Sequence, residues 1–574
     1  MTVESGRTLP EHARRDEGYA LIAVLATMTL MIGLLTVALT YSTRTIRTVD
    51  DASDWNQALL AADAGVADYL ARLNADDTYW QTIDCTNIAL KGPIGTCGWG
   101  SGTKAGWADV PGGGGAQFHY EINTTSTPST GTVVLTSTGK MGEESRTIQV
   151  RMRRGGFGEF LYYTVYETVD PENEAVYGYK NTTAISRCTK YHYEGRDTSY
   201  CNDINFVSGD VIDGPLHTND AMLMQGSPRF NGTVTTSRPT CNKTKPTTCY
   251  RTNGSASPYF VRGIAYRDEI QLPESIGDLK PYADPDQPGS GCLYTGPTRI
   301  VIQNGTGTNP STMKVWSPWT RTSKTGCGTV PLNGSQNIPI PHNNLIYVRD
   351  VPAGYGNPYG GASKHPGTGA CPGGWIGDNY PLAGTSTSGD YNQTLDEAKC
   401  TYGTTYVQGT LKGRLTIAAE NNIVVTDHLT YSGGRTGTDA LGLIANASVK
   451  LYHPVECTSY SWWTRECTRV SNMARPNGAG VFRDAQVNAA ILTLQHSFTV
   501  QQYQHGSQLG DLNLFGTIAQ KFRGPVGTSG GSGYLKHYVY DTRMRYAPPP
   551  YFLDPVRSAW GVKTYGELTP RTFD

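Results

Sequence analysis

The residues with the most specific chemistry in this 574-residue sequence are its twelve cysteines. In chain order they fall into six neighbouring pairs: Cys85/Cys97, Cys188/Cys201, Cys241/Cys249, Cys292/Cys327, Cys371/Cys400 and Cys457/Cys467. No C-x-x-C occurs among them. An even count in Gly- and Asn-rich loop sequence argues against structural zinc and for local disulfides formed in an oxidising compartment. The other candidate chemistry is thinner. Asp210, Asp213, Asp220, Glu420 and Asp427 are the best carboxylates for a polysaccharide hydrolase or lyase, which needs its acids within about 5–10 Å of each other. Nothing in their spacing makes them converge, and acids at turns commonly cap backbone groups. Gly527 to Gly531 matches G-x-S-x-G, but a nucleophile elbow sits between a strand and a helix, whereas here glycine-rich sequence flanks it. Asp284 and Asp286 suggest a calcium loop, yet Thr295 stands where an EF-hand needs Glu. His217, His428, His453 and His496 read as strand or turn histidines with satisfied partners. The expectation is a non-enzyme with no catalytic residues, no metal and no cofactor.

The elements that must position these residues begin with an apolar run. From Gly18 to Thr43 no side chain is charged, and at about 1.5 Å per residue this run makes roughly 39 Å of helix, enough for a hydrocarbon core of about 30 Å. It is longer than the apolar region of a cleaved secretory signal. Arginines flank it on both sides, so the disulfides rather than the charges place the bulk of the chain outside. The helical pattern then continues: Trp55, Leu59, Ala62, Val66, Tyr69 or Leu70, and Leu73 recur every three to four residues, an amphipathic stripe. Overall charge is balanced, 48 basic against 49 acidic residues, so no nucleic-acid partner is expected.

A short charged leader, EHARRDEG, ends at Gly18 and is followed by Tyr19-Ala20-Leu21-Ile22 and the long helix with its ALLAADAGVADYLARL segment. This N-terminal region resembles the type IV pilin superfamily, in particular PilX-like minor pilins and general-secretion K-type pseudopilins. The resemblance implies cleavage by prepilin peptidase between Gly18 and Tyr19, with Leu21, Ile22, Ala23, Val24 and Leu25 opening a helix that sits first in the membrane and then in a filament core. Major pilins carry Glu at the fifth mature position; here it is Ala23. A carboxylate unpaired in lipid is costly, and the tip-located K-type pseudopilins lack it too. The resemblance therefore implies a subunit with nothing ahead of it.

After a glycine tract at 112–115 the period changes from helical to alternating. FHYEINTT, TVVLTSTGK and RTIQVRMRR read as three strands. The expected fold is an α+β pilin-like unit followed by a large mainly-β domain, either β-helix-like or another layered β architecture. The boundaries are a leader at 1–18, a pilin-like unit at 19–155 (membrane helix 19–43, amphipathic continuation 44–75, antiparallel strands 116–155) and a disulfide-bonded β domain at 156–574. Val407, Leu411, Leu415, Ile417, Ile423 and Val425 are its inward candidates, and the Tyr- and Pro-rich last forty residues are expected to run extended over the surface. The expected function is that of a minor pilin-like subunit, tip-located, that primes a pilus or secretion filament and presents the β domain to a surface or carbohydrate ligand. Its partners would be other pilin subunits, the assembly machinery, prepilin peptidase and the membrane. It would lie in the cytoplasmic membrane as a single-pass protein before assembly and at the cell surface afterwards. Two alternatives remain open, a signal-anchored binding protein outside any filament and a membrane-tethered carbohydrate-active enzyme.

Overall fold

The computed structural model describes residues 17–76, 78–91, 106–178, 181–355, 375–376, 380–381, 401–463, 467–528, 530–556 and 559–568. They divide into two units: 1–124 with 133–152 and 562–574, and 125–132 with 153–561.

The first unit is organised by one helix, α1 (Glu17–Ala75), of 59 residues. No proline interrupts it, so nothing in the sequence removes a backbone donor along its length. Its C-terminal half packs on a sheet of β1 (Leu90–Lys91), β2 (Ala108–Asp109), β3 (Gln117–Asn123), β4 (Thr132–Met141) and β5 (Glu144–Arg154), in which β3 and β4 pair antiparallel. The stripe that docks keeps Ala62, Val66, Tyr69 and Leu73 of the expected positions and replaces the others with small residues. Ala58, Ala61, Ala62, Val66, Tyr69 and Leu73 are buried, whereas Leu59 is only half-buried and Trp55 is exposed. Small residues take over because the backbones touch. A Cβ on Gly139 of β4 would lie 2.2 Å from the Ala58 carbonyl oxygen and from the Ala62 nitrogen, and one on Gly65 would lie 2.3 Å from Ser137 Oγ. Ser137 Oγ donates to the Ala62 carbonyl at 2.8 Å. Tyr120 Oη donates to Asp68 at 2.6 Å, and Asp68 also pairs with Arg72.

The second unit holds a 21-stranded sheet. One parallel ladder runs through it, built from β6 (Tyr162–Tyr166), β7 (Leu216–Thr218), β8 (Val234–Thr236), β9 (Ile264–Tyr266), β10 (Cys292–Thr295), β11 (Asn344–Arg349), β12 (Arg414–Ala419), β13 (Ala440–Ala445), β16 (Gln486–Thr493) and β17 (Gln508–Phe522); β14 (Val455–Tyr460) and β15 (Cys467–Asn472) form a separate pair. The spatial order is β10-β11-β12-β13-β16-β17-β6-β7-β8-β9. The chain thus enters in the middle of the ladder, builds to one end, restarts at the other end and returns until β17 pairs with β6. Register lines up one buried residue per strand: Cys292, Ile346, Ile417, Leu443, Ile491, Ile518, Tyr162, Leu216, Val234 and Ile264 stack in a single column. The other face is covered as well, with Tyr347, Ala418, Ile444, Leu492 and Ala519 packed among Phe157, Ile276, Met544 and Phe552. Burial on both faces is what a parallel sheet requires. Val407, Leu411, Leu415, Ile417, Ile423 and Val425 all lie in the main buried cluster.

Two features depart from the sequence reading. Met544 and Phe552 of the C-terminal stretch are buried rather than spread over the surface. The last strand, β18 (Trp560–Leu568), pairs beside β5 in the first unit's sheet, so the β domain does not extend to residue 574 but ends at 561. A bidentate Arg146–Glu567 pair, at 2.7 and 2.8 Å, and a Tyr565–Asp63 hydrogen bond hold the returning strand. In the chain, the second unit is therefore an insertion between two strands of the first.

Substituting Gly139→Val should cost the first unit about 3 kcal/mol or more, because backbone on both sides of the contact must move. Limited proteolysis of the 44–75 segment checks this, with faster cleavage expected in the variant.

Candidate functional site

Every large apolar side chain from Tyr19 to Tyr41 is exposed, including Tyr19 at 77% and Leu35 at 68%. The helix holds a window of mean hydropathy 2.4 with none of it buried, and it is long and apolar enough to cross a membrane. Leaving such side chains in water forgoes about 1.5–3 kcal/mol each relative to burial. Its hydroxyls do not oppose an apolar surrounding. Thr27 donates to the Ala23 carbonyl, Thr29 to Leu25, Thr36 to Ile32, Thr40 to Thr36 and Thr43 to Leu39, all between 2.6 and 3.0 Å. Each donor is thus satisfied within the helix, as hydrocarbon demands. Gly18 lies in the first turns of α1, ahead of Leu21, Ile22, Val24 and Leu25, and Ala23 leaves this segment free of carboxylate. This surface can partition into lipid or pack against other apolar helices.

The carboxylates singled out from the sequence are all engaged. Asp210 accepts the Val207 amide, Asp213 accepts from Asn231, and Glu420 accepts the Tyr347 hydroxyl and the Asp350 amide. Asp427 lies 2.5 Å from Arg475. Asp220 is fully buried, accepts the amides of Glu167, His192 and Ala221, and pairs with Arg196, whose Nε sits 2.9 Å from Asp203. Burial works against the Arg196 charge, but the two carboxylates outweigh it and raise its pKa. Around the G-x-S-x-G stretch, Thr528 and Ser532 close a turn on each other between two strands; Ser529 lies outside the described residues. Asp284 accepts the Asp286 amide in a local turn, and Thr295 is buried against Thr320 and Arg349.

Disulfides join Cys188–Cys201, Cys241–Cys249, Cys292–Cys327 and Cys457–Cys467. Cys85 is disulfide-bonded; Cys97, Cys371 and Cys400 lie outside the described residues. The four histidines have partners. His217 sits between Thr235 and Asn219 and stacks on Tyr163, His453 lies between Gln501 and Asn472, His428 accepts the Gln486 amide, and His496 Nδ1 is 2.7 Å from Asp170.

A family model described as Domain of unknown function (DUF4900) matches residues 117–241. No curated protein matches the chain. Among solved structures, the chain is similar to the crystal structure of the competence-associated pilin ComZ from Thermus thermophilus, with 12% identity, a TM-score of 0.25, and coverage of 90% of this chain and 97% of that one.

Sequence reasoning missed three features of consequence. The close approaches at Gly65 and Gly139 were hidden because glycine carries no hydrophobic signal. The Arg196–Asp220–Asp203 cluster joins residues whose proximity only the fold creates. The adjacent Trp462 and Trp463, by contrast, were visible as W-W enclosed by Cys457 and Cys467.

Two histidines give stability opposite pH dependences. Burial lowers the His217 pKa to about 3, so its contribution is complete above the unfolded value of about 6.5 and is lost as pH falls toward 3. Burial also disfavours charge on His496, but Asp170 outweighs it and raises the pKa. That contribution is complete below about 6.5 and is lost as pH rises through the raised folded value. In urea unfolding, the deficit of His496→Gln relative to the parent chain should be larger at pH 5.5 than at pH 9. Arg196→Leu should cost about 3–5 kcal/mol in the same assay, since it takes the cation from fully buried Asp220 and leaves Asp203 with Arg251 alone.

Proposed function

We propose that this chain is a pilin-type subunit of a surface filament, held in a membrane by the first half of α1 before assembly and packed among like helices afterwards. The observation that carries this reading is the continuity of α1. Its bare apolar half and its docked half are one helix, so a pull or a packing contact on the first is transmitted to a folded platform. A plain membrane anchor has no need of that coupling. The leader ending at Gly18 supports processing by prepilin peptidase with Tyr19 as the new first residue, and the partners are then other pilin subunits and the assembly machinery.

Ala23 supports a place at the tip. With no carboxylate to pair with the amine of a subunit ahead, the helix has nothing polar to satisfy on that side. The inserted second unit is the cargo. Its parallel ladder and stacked interior column support a β-helix, a scaffold whose solvent faces can vary without disturbing the core. Its role is presentation and adhesion rather than catalysis, a reading supported by acids that are already spent on backbone amides, hydroxyls and arginines.

The test is the filament fraction of sheared cells. The chain should co-sediment with filaments, and Leu30→Arg, which puts a charge at mid-span for roughly 3 kcal/mol, should deplete it at least tenfold while the second unit keeps its disulfides. A chain found only in washed membranes, or released and unassembled, overturns the reading.

A further inference from the structure

Early and late strands of the second unit meet at one seam. The strand Gly533–Tyr540 pairs in parallel with β17 on one flank and with Val211–Asp213 on the other. Leu535 and His537 are exposed while Tyr534 and Tyr538 are buried, so Lys536 falls on the inner side of the strand. Tyr538 lies beside Ile212; two residues back along each chain, Lys536 is level with Asp210. Both residues line a cavity of about 10 Å³ among the rings of Tyr162, Phe206 and Tyr538, with room for about one water.

An ammonium in such a place needs a partner, yet Lys536 makes no hydrogen bond or ion pair with any described residue. Arg523, also on the cavity, is already satisfied by Glu167 at 3.1 Å and by the carbonyls of Ile204 and Asn205. Asp210 is the one carboxylate among the described lining residues. Its Oδ2 accepts the Val207 amide at 3.0 Å, while Oδ1 accepts from no described residue. Burial, and then the Arg523 guanidinium, push Lys536 down to about 8, so its free amine is populated near neutral pH. A desolvated lysine amine beside a cation is a nucleophile. The space admits nothing larger than water, which leaves the Asp210 carboxyl as the electrophile within the cavity.

We propose that Lys536 and Asp210 are a modification site, joined by an intramolecular amide between Nζ and Cγ. Moving one proton from the ammonium to Oδ1 gives the reacting pair, a free amine and a carboxylic acid. Nζ attacks Cγ, the Cγ–Oδ1 bond breaks, and the hydroxyl leaves with an amine proton as water. No oxidant or other co-reactant is consumed. Oδ2 carries the negative charge of the intermediate and faces the Val207 N–H, a donor already in place. The product replaces two opposite charges with one neutral group and so removes the cost of holding them in a low-dielectric interior. It also ties the early strand covalently to the late one across the seam. The inference uses the second unit alone and does not require the filament reading.

Mass spectrometry of the full chain, reduced, alkylated and digested with trypsin, tests this. A branched peptide joining the Asp210 and Lys536 segments should predominate, lighter by one water than the sum of its linear parts, with fragment ions placing the link at those two residues. Lys536→Arg and Asp210→Ala should each lose the branch, while non-reducing maps of both variants should keep Cys188–Cys201 and Cys292–Cys327. The parent chain decides the question on its own, whether or not either variant folds. Linear Asp210 and Lys536 peptides of unchanged mass from the parent chain overturn the proposal, and so does a branch at Lys536 that survives in Asp210→Ala.

Discussion

One unbroken helix with a bare apolar half and a docked half is the constraint on which the rest of this molecule depends. From Tyr19 to Tyr41 the α1 surface is apolar and uncovered, and from Ala58 to Leu73 the same helix is buried against a sheet. A hinge between these halves would release them from each other, but the segment contains no proline and its threonine hydroxyls find their acceptors within the helix. The docked half must therefore hold the helix tightly. It does so by close approach: Gly139 meets the backbone of Ala58 and Ala62, Gly65 meets the side chains of Ser137 and Phe118, and a single methyl group at either would collide. Close approach through small residues gives shape rather than volume, and the polar contacts of Ser137 and Tyr120 fix the register.

The large second unit is accommodated by topology. The chain enters its parallel ladder in the middle, at β6 beside β17, and after residue 561 it returns to the first unit's sheet as β18. An insertion built this way leaves the platform's sheet complete, with Glu567 clamped by Arg146. The ladder is held by a repeated apolar column and by buried charges that are individually costly but mutually compensated, such as Arg196 between Asp203 and Asp220. The buried histidines add a pH dependence, because His217 and His496 are displaced in opposite directions from the ordinary imidazole value.

Much of this was legible in residue order. The apolar run, the switch from helical to alternating period near residue 117 and the six inward residues from Val407 to Val425 all follow from local pattern, and local pattern is what hydrophobic periodicity encodes. Local cysteine neighbours also pair where the structure describes both partners. What the sequence hid depends on contacts between distant residues. The return of β18 to β5 spans the whole insertion, and nothing in WGVKTYGEL distinguishes it from another strand of the stack. The stripe on α1 was right at Ala62, Val66, Tyr69 and Leu73 and wrong at Trp55 and Leu59, since large side chains advertise burial while Ala58, Ala61 and Gly65 make close packing that carries little hydrophobic signal. The bare half of the helix was the easiest part to read, since an uncharged run of that length has few physical destinations.

The central claim, that this helix belongs to a processed filament subunit, is tested most directly by the N-terminal mass of the chain recovered from the cell surface. The account predicts a mature protein that begins at Tyr19 with a methylated amine. A surface protein that still begins at Met1 or Thr2 would contradict it.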